Sequence, residues 1–213
     1  GLFGAAEKVV STKDLIDKKT LANLKIKCIT LKHPNIRQKM TYAEELDYIV
    51  SKESRNKFIL DLCNTLNGNT LCLFQLVEKH GKVLYDGMKG SENVYFVYGG
   101  TDTEQRERIR GLVEGHSNST TIASYGTFST GINIRNINNI VLASPSKSKI
   151  RVLQSIGRGL RTSSTKDSIL IFDVADDISY KERRNFTLNH FFERINIYNE
   201  EQFNYEISKV KIK

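Results

Sequence analysis

Residues 138–176 read NNIVLASPSKSKIRVLQSIGRGLRTSSTKDSILIFDVAD. NNIVLASP (138–145) is a short apolar run ended by Pro145, so it predicts a buried strand. SKIRVLQSIGRGLR (148–161) has helical spacing, and SILIFDVAD (168–176) is apolar again. A strand, a helix and a strand so close together form a crossover unit, which joins parallel strands.

The same alternation extends in both directions. Upstream, KIKCITLK (25–32) alternates apolar and polar residues and predicts a strand with one buried face. Residues 41–67 predict one helix, with Leu46, Ile49, Val50, Ile59, Leu62 and Cys63 on its apolar stripe, stopped by Asn67-Gly68-Asn69. TLCLFQ (70–75), NVYFVYGG (93–100) and STTIASYG (119–126) predict further strands. VEKHGKVLYDGM (77–88) and TDTEQRERIRGLVEG (101–115) predict helices, the second capped by Thr101 or Thr103. Downstream of Tyr180, the aromatics Phe186, Phe191, Phe192, Tyr198, Phe203 and Tyr205 predict a docked helix and a last strand, EQFNYEISKVKI (201–212). The fold class is α/β, a parallel sheet flanked by helices with a helix-and-strand C-terminal extension. Ligands of such sheets bind beyond the carboxyl ends of the strands. Gly99-Gly100, residues 124–133 and the arginine helix are expected to converge there.

The chain has 213 residues, 32 Lys plus Arg against 24 Asp plus Glu, and a net charge of +8. That excess favours a polyanionic partner, nucleic acid before acidic membrane. No apolar run is long enough to cross a bilayer. GLFGAAEKVV at the start lacks the layout of a secretory signal, and its missing initiator Met predicts a fragment or a processed chain. Cys28, Cys63 and Cys72 predict buried thiols in a reducing, cytoplasmic compartment. His33, His80, His116 and His190 have no metal-ligand spacing with them, so no metal site is expected.

QSIGRGLR (154–161) carries the chemistry. Arg158 and Arg161 are three residues apart, so on a helix they face the same way. A guanidinium binds phosphate oxygens in a planar fork. A solvated basic helix end is the plainer alternative.

Four blocks stand in order: LCLFQLVEKHGKVL (71–84), VYGGTDTEQRERIR (97–110), IASYGTFSTGINIRNINNIVLASP (122–145) and QSIGRGLR. Together they resemble motifs IV, IVa, V and VI of superfamily 2 helicases, which lie in the second RecA-like domain. The runs SYGTFSTGINI and QSIGRGLR most resemble bacteriophage recombination helicases. The resemblance implies that residues 1–24 are the tail of a first RecA-like domain and the interdomain linker, 25–178 the second domain, and 179–213 an extension. No GxxxxGK[ST] loop and no DExH or DEAD tetrad is present in these 213 residues. The resemblance therefore implies half of an ATP site, with Mg²⁺ and the phosphates held mainly by the first domain, and no ATP hydrolysis by this chain alone.

By the same resemblance, Arg161 matches the arginine-finger position and Arg158 its partner. Gln154 matches the leading polar residue of motif VI, and Gly131 the motif V glycine. Asn133 falls where many relatives carry aspartate, and a turn residue is its alternative reading. Thr101, Ser124, Thr127, Gln75, Lys147 and Lys149 are the candidate nucleic-acid contacts. Each hydroxyl could instead cap a helix, Phe74 is a core candidate, and RERIR (106–110) reads as a solvated face. The function implied is an ATP-dependent DNA and RNA–DNA hybrid helicase acting on branched or forked DNA in branch migration, fork regression, recombination and replication control. A non-catalytic nucleic-acid-binding module and an RNA-specific helicase are the rivals.

Overall fold

The computed structural model of the chain describes residues 24–129, 136–162 and 168–213. The expected domain tail and linker in residues 1–23 lie outside them. Seven strands form one sheet in which every pairing is parallel. They are β1 (Leu24–Lys32), β2 (Asn69–Phe74), β3 (Val94–Val97), β4 (Ser119–Ser124), β5 (Asn139–Leu142), β6 (Ile169–Asp177) and β7 (Asn204–Lys211), in the spatial order β3-β4-β2-β5-β6-β1-β7. The expected α/β class is what forms.

The period-two alternation of strands assigns side chains to two faces. One core contains Leu24, Ile26, Leu71, Leu73, Ile140 and Ile171, the other Ile29, Leu31, Cys72, Phe74, Val141 and Phe172. The first is covered by α4 (Thr103–Glu114), α6 (Ser148–Thr162) and α7 (Phe186–Glu200) through Ile109, Leu153 and Phe191. The second is covered by α2 (Glu53–Thr65) and α3 (Lys82–Met88) through Ile59, Leu62 and Leu84. All three cysteines are free and buried. No helix of the described residues is long and apolar enough to cross a membrane.

Three expectations change. β1 alternates as expected over residues 24–27, but residues 28–31 are buried on both faces, because helices cover the sheet on both sides there. The helix expected over 41–67 is two helices, α1 (Tyr42–Ser51) and α2, parted at Lys52, which is extended. The Asn56 side chain donates to Val50 O at 2.8 Å and satisfies a carbonyl freed by that break. The cap of α4 is Asp102, which accepts from Gln105 N at 2.7 Å, not Thr101 or Thr103. The C-terminal extension docks α7 on β6 and adds β7 as an edge strand of the same sheet.

Candidate nucleotide and nucleic-acid sites

The carboxyl ends of the strands bring together several residues far apart in sequence. β2 runs out into Gln75, which is exposed and accepts from Ser146 Oγ at 2.7 Å. Ser146 follows β5, so Gln75 and the exposed Lys147 share one stretch of this edge. Phe74, one residue earlier, is core and stacks on Phe96 with centroids 5.5 Å apart. β4 ends at Ser124, whose hydroxyl pairs with that of Thr127 and accepts from Thr127 N at 3.3 Å. Ser124 thus caps the short α5 (Tyr125–Ser129), and Thr127 is buried beneath it. Beyond β3, Thr101 Oγ1 accepts from Tyr98 N at 3.1 Å and closes the Gly99-Gly100 turn. Arg106 binds that turn through Thr101 O at 2.9 Å and Gly99 O at 2.8 Å, so this member of RERIR is a structural clamp rather than a solvated charge.

Helix α6 does not stay on that edge. It links the adjacent parallel strands β5 and β6, so it must run back across the sheet. At 1.5 Å per residue, Arg158 lies ~15 Å along the axis from Ser148, toward the amino ends of the strands. The expected convergence on a single edge is therefore corrected. The hydroxyls and Gln75 lie at the carboxyl edge, and Arg158, which is exposed, lies near the amino edge. β1 also begins at the amino edge, where Leu24 registers with Ile169. Between the two, Gln154 Nε2 reaches Glu201 Oε1 at 3.5 Å, at the end of α7. Gly131, Asn133 and the side chain of Arg161 lie outside the described residues.

Lys149 is a correction. Its side chain is 1% exposed, with Nζ 3.1 Å from Asp173 Oδ1 and 2.7 Å from Val174 O. It cannot reach a nucleic acid on the surface. The sequence held the signal: Lys149, Val152, Leu153 and Ile156 follow the i, i+3, i+4, i+7 pattern of a buried face, and all four are buried. Arg158 is nine residues on, about 180° around the helix at ~100° per residue, and so faces out.

Asp173 and Asp176 on β6 were not singled out by sequence, yet they organise the buried electrostatics. Three residues apart on a strand, they point to opposite faces. Asp173 Oδ2 accepts from Arg194 Nε at 2.9 Å and from Tyr198 Oη at 2.6 Å, both on α7. Burial alone would raise its carboxyl, but Arg194 and Lys149 outweigh that and hold it well below the usual carboxylate range. Two cations share this one carboxylate, and burial pushes the Lys149 ammonium down to about 8. Asp176 binds Arg55 Nε at 2.8 Å and His33 Nε2 at 2.7 Å. Arg55 reaches on to Ala143 O at 2.8 Å, tying α2 to the end of β5. His80 sits nearby, bonded to Ser144 Oγ and to Asn56 Oδ1, and burial with the Arg55 charge lowers its pKa to about 3.

Among the described residues no cluster of His, Cys, Asp or Glu could hold a metal ion. The buried carboxylates of β6, Asp173 and Asp176, are already committed to Arg55, Lys149 and Arg194, so these described donors do not fit Mg²⁺.

Comparison with known proteins agrees with this architecture. The chain is 36% identical to the ATP-dependent DNA helicase uvsW of Enterobacteria phage T4 over 231 aligned residues, covering 100% of this chain and 46% of that protein. It thus spans less than half the length of that relative. The crystal structure of T4 UvsW superposes with a TM-score of 0.75 over 89% of this chain and 42% of that one, at 36% identity. The C-terminal domain of the DEAD-box protein Dbp5 shares the fold at 13% identity, with a TM-score of 0.56 over 87% of this chain and 90% of that one. Residues 54–163, just over half of the chain, match the family described as helicase conserved C-terminal domain. With its parallel sheet, its motif order and this match, the chain belongs to the helicase C-terminal domain family and has the fold of the second RecA-like domain of superfamily 2 helicases.

Proposed function

We propose that this chain is the second motor domain of an ATP-dependent DNA helicase or translocase that acts on branched or forked DNA and on RNA–DNA hybrids. Branch migration, fork regression, recombination and replication control are the processes it would serve. Residues 25–178 form the motor domain in this reading, and 179–213 the extension that completes its sheet. The observation that carries the reading is the division of α6. The helix leaves the hydroxyl-bearing carboxyl edge and carries Arg158 toward the edge where β1 begins.

In this reading ATP binds between this domain and a first RecA-like domain, which holds Mg²⁺ and most phosphate contacts. Arg161 and Arg158 present forked donors to the phosphates, where charge builds as the γ-phosphoryl group transfers. Gln154, Gly131 and Asn133 support the nucleotide contact. Thr101, Ser124, Gln75 and Lys147 meet the nucleic-acid backbone, with Thr127 holding the Ser124 hydroxyl in place. Backbone contacts of this kind position a strand without reading its sequence.

The test is DNA-stimulated ATP hydrolysis by a two-domain protein containing this chain. Arg161→Ala should lower kcat by ~10²-fold or more, by analogy with other arginine fingers, and leave DNA affinity at fixed salt unchanged. Arg161→Lys should fail too, since it keeps the charge but loses the fork. Arg108→Ala, on the exposed face of α4, should leave kcat unchanged. Hydrolysis at the parent rate with lost DNA binding would make the arginine pair a backbone clamp and overturn the reading.

A further inference from the structure

The carboxyl edge continues past β6 and β1 to a surface that the motif segments do not use. The loop after β1 and the turn after β6 enclose a cavity of about 600 Å³, walled by Lys39, Arg183, Arg184, Asn185 and Asn189. Reciprocal backbone bonds between Tyr180 and Arg183, both 3.1 Å, close the turn, with Lys181 at φ 54°. Two carboxylates, Glu45 and Glu182, also line the cavity. Glu45 is already committed. It is buried and accepts from Phe186 N, Thr187 N, Thr187 Oγ1 and Asn185 Nδ2 at 2.6–3.0 Å, so it caps α7 and its charge is held by the helix terminus. Three cations then face one remaining carboxylate.

Phe186 lines the same cavity, and further rings pack beside its lining. Phe186 and Phe192 are 41% and 39% exposed, while Phe191 between them and α7's Tyr198 are buried. Phe186 meets the Tyr42 ring edge-on at 6.0 Å, and Tyr42 meets His190 at 5.8 Å. The Arg184 guanidinium lies over the Phe192 ring at 4.4 Å. Tyr42, His190, Pro145 and Ser146 line one small recess that reaches down to Lys149 and Asp176, and Ser146 Oγ also donates to Gln75 at 2.7 Å, so the rings lie next to that stretch of the edge. Exposed aromatic faces beside a cationic groove are what unpaired bases and their phosphates bind, whereas a duplex keeps its base faces stacked inside.

We propose that this cavity and its rim bind an unpaired nucleotide of a single-stranded polynucleotide, with the phosphate at Lys39, Arg183 and Arg184 and the base stacked on Phe186. The site extends the nucleic-acid path onto the C-terminal extension, and it rests on the nucleic-acid reading above. It gives the domain a means of favouring a strand that has left its duplex.

The test uses this chain with a fluorescein-labelled 20-nucleotide oligo(dT), the matching oligo(U) and a blunt duplex of equal length. Phe186→Ala should weaken single-strand binding about fivefold or more and leave duplex binding unchanged. Arg183→Ala, at an exposed side chain with no role in the core, should lower the slope of log affinity against log salt by about 0.7 on the single strand. A 2-aminopurine base in the strand should change fluorescence on binding the parent chain and respond less with Phe186→Ala. If the chain binds the single strand and both variants bind it equally well, the site is overturned. If the parent chain binds none of the three nucleic acids at low salt, the nucleic-acid reading of this chain falls first and the site falls with it. Oligo(dT) and oligo(U) bound alike support stacking without sugar recognition, and loss of the Phe186 effect on both overturns it.

Discussion

Helix α6 carries a cation near each end, and their environments are opposite. Lys149 in its first turn is fully buried and ion-paired with Asp173, whereas Arg158 near its last turn is exposed. Both stand close to the same motif, and both invite a phosphate-binding role. The difference teaches that helical phase, more than proximity to a motif, decides what a charge does here. At its inner position the helix uses a cation to fasten itself to β6. At its outer position it leaves one at the surface. The C-terminal extension joins the inner arrangement through Arg194 and Tyr198, so α6 and α7 are anchored to one carboxylate.

Removing that carboxylate should have the largest effect. Asp173→Asn keeps the shape but leaves Lys149 and Arg194 buried without their counter-charge, which costs ~3–5 kcal/mol when a buried pair loses one partner. Urea unfolding monitored by circular dichroism measures it, and a loss below ~1 kcal/mol would mean that packing, not charge, anchors α6 and α7. The same group contributes to the acid limb beside Asp176, which Arg55 and His33 hold low in the same way. The folded pKa of Asp173 is depressed, so its stabilisation is present above the unfolded value of ~3.9 and is lost as pH falls toward the folded one.

Lys149 should have a smaller effect with a distinctive pH profile. Folded, it releases its proton near about 8. Unfolded, it keeps the proton up to ~10.4. Between these values the unfolded state binds more protons, so unfolding free energy rises with pH. Lys149→Met should remove this contribution, flattening the rise between pH 8 and pH 10. At pH 7 it should cost less than Asp173→Asn, because Asp173 keeps Arg194 and Tyr198. Denaturant midpoints at the two pH values decide it, and an equal slope in parent and variant would place the ammonium in a solvated state.

The sheet was legible because strands buried on both faces read as continuous apolar runs such as LCLF and IVLA, and the strand–helix alternation forces parallel pairing. β1 was half misread, since residues 28–31 are buried against helices on both faces, one cluster holding Phe191 and the other Ile59, and those covering helices are not written locally. The break at Lys52 carries no Pro or Gly, and what sustains it is a side-chain bond from Asn56 that no period reveals. At the candidate site, Gln75, Thr101 and Ser124 were placed at strand ends by element order alone. The buried acids were missed. An Asp within the apolar run ILIFDVAD demands a cation, but Arg55, Arg194 and Lys149 come from three different helices, and only the packed faces bring them in.

The smallest stability effect should be at Arg158, and that is what makes it informative. The side chain is exposed, so truncation opens no cavity. Ala also has a helix propensity at least equal to that of Arg. Arg158→Ala should therefore shift unfolding free energy by no more than ~1 kcal/mol, the upper end for an interaction of an exposed side chain. If α6 divides its work as proposed, the same variant in a two-domain protein should slow ATP hydrolysis while this chain's thermal midpoint stays put. Asp173→Asn should do the reverse in this chain, lowering the midpoint first. Should Arg158→Ala cost as much stability as Asp173→Asn, both ends of the helix would be structural. The outward arginine would then have no claim on a nucleotide.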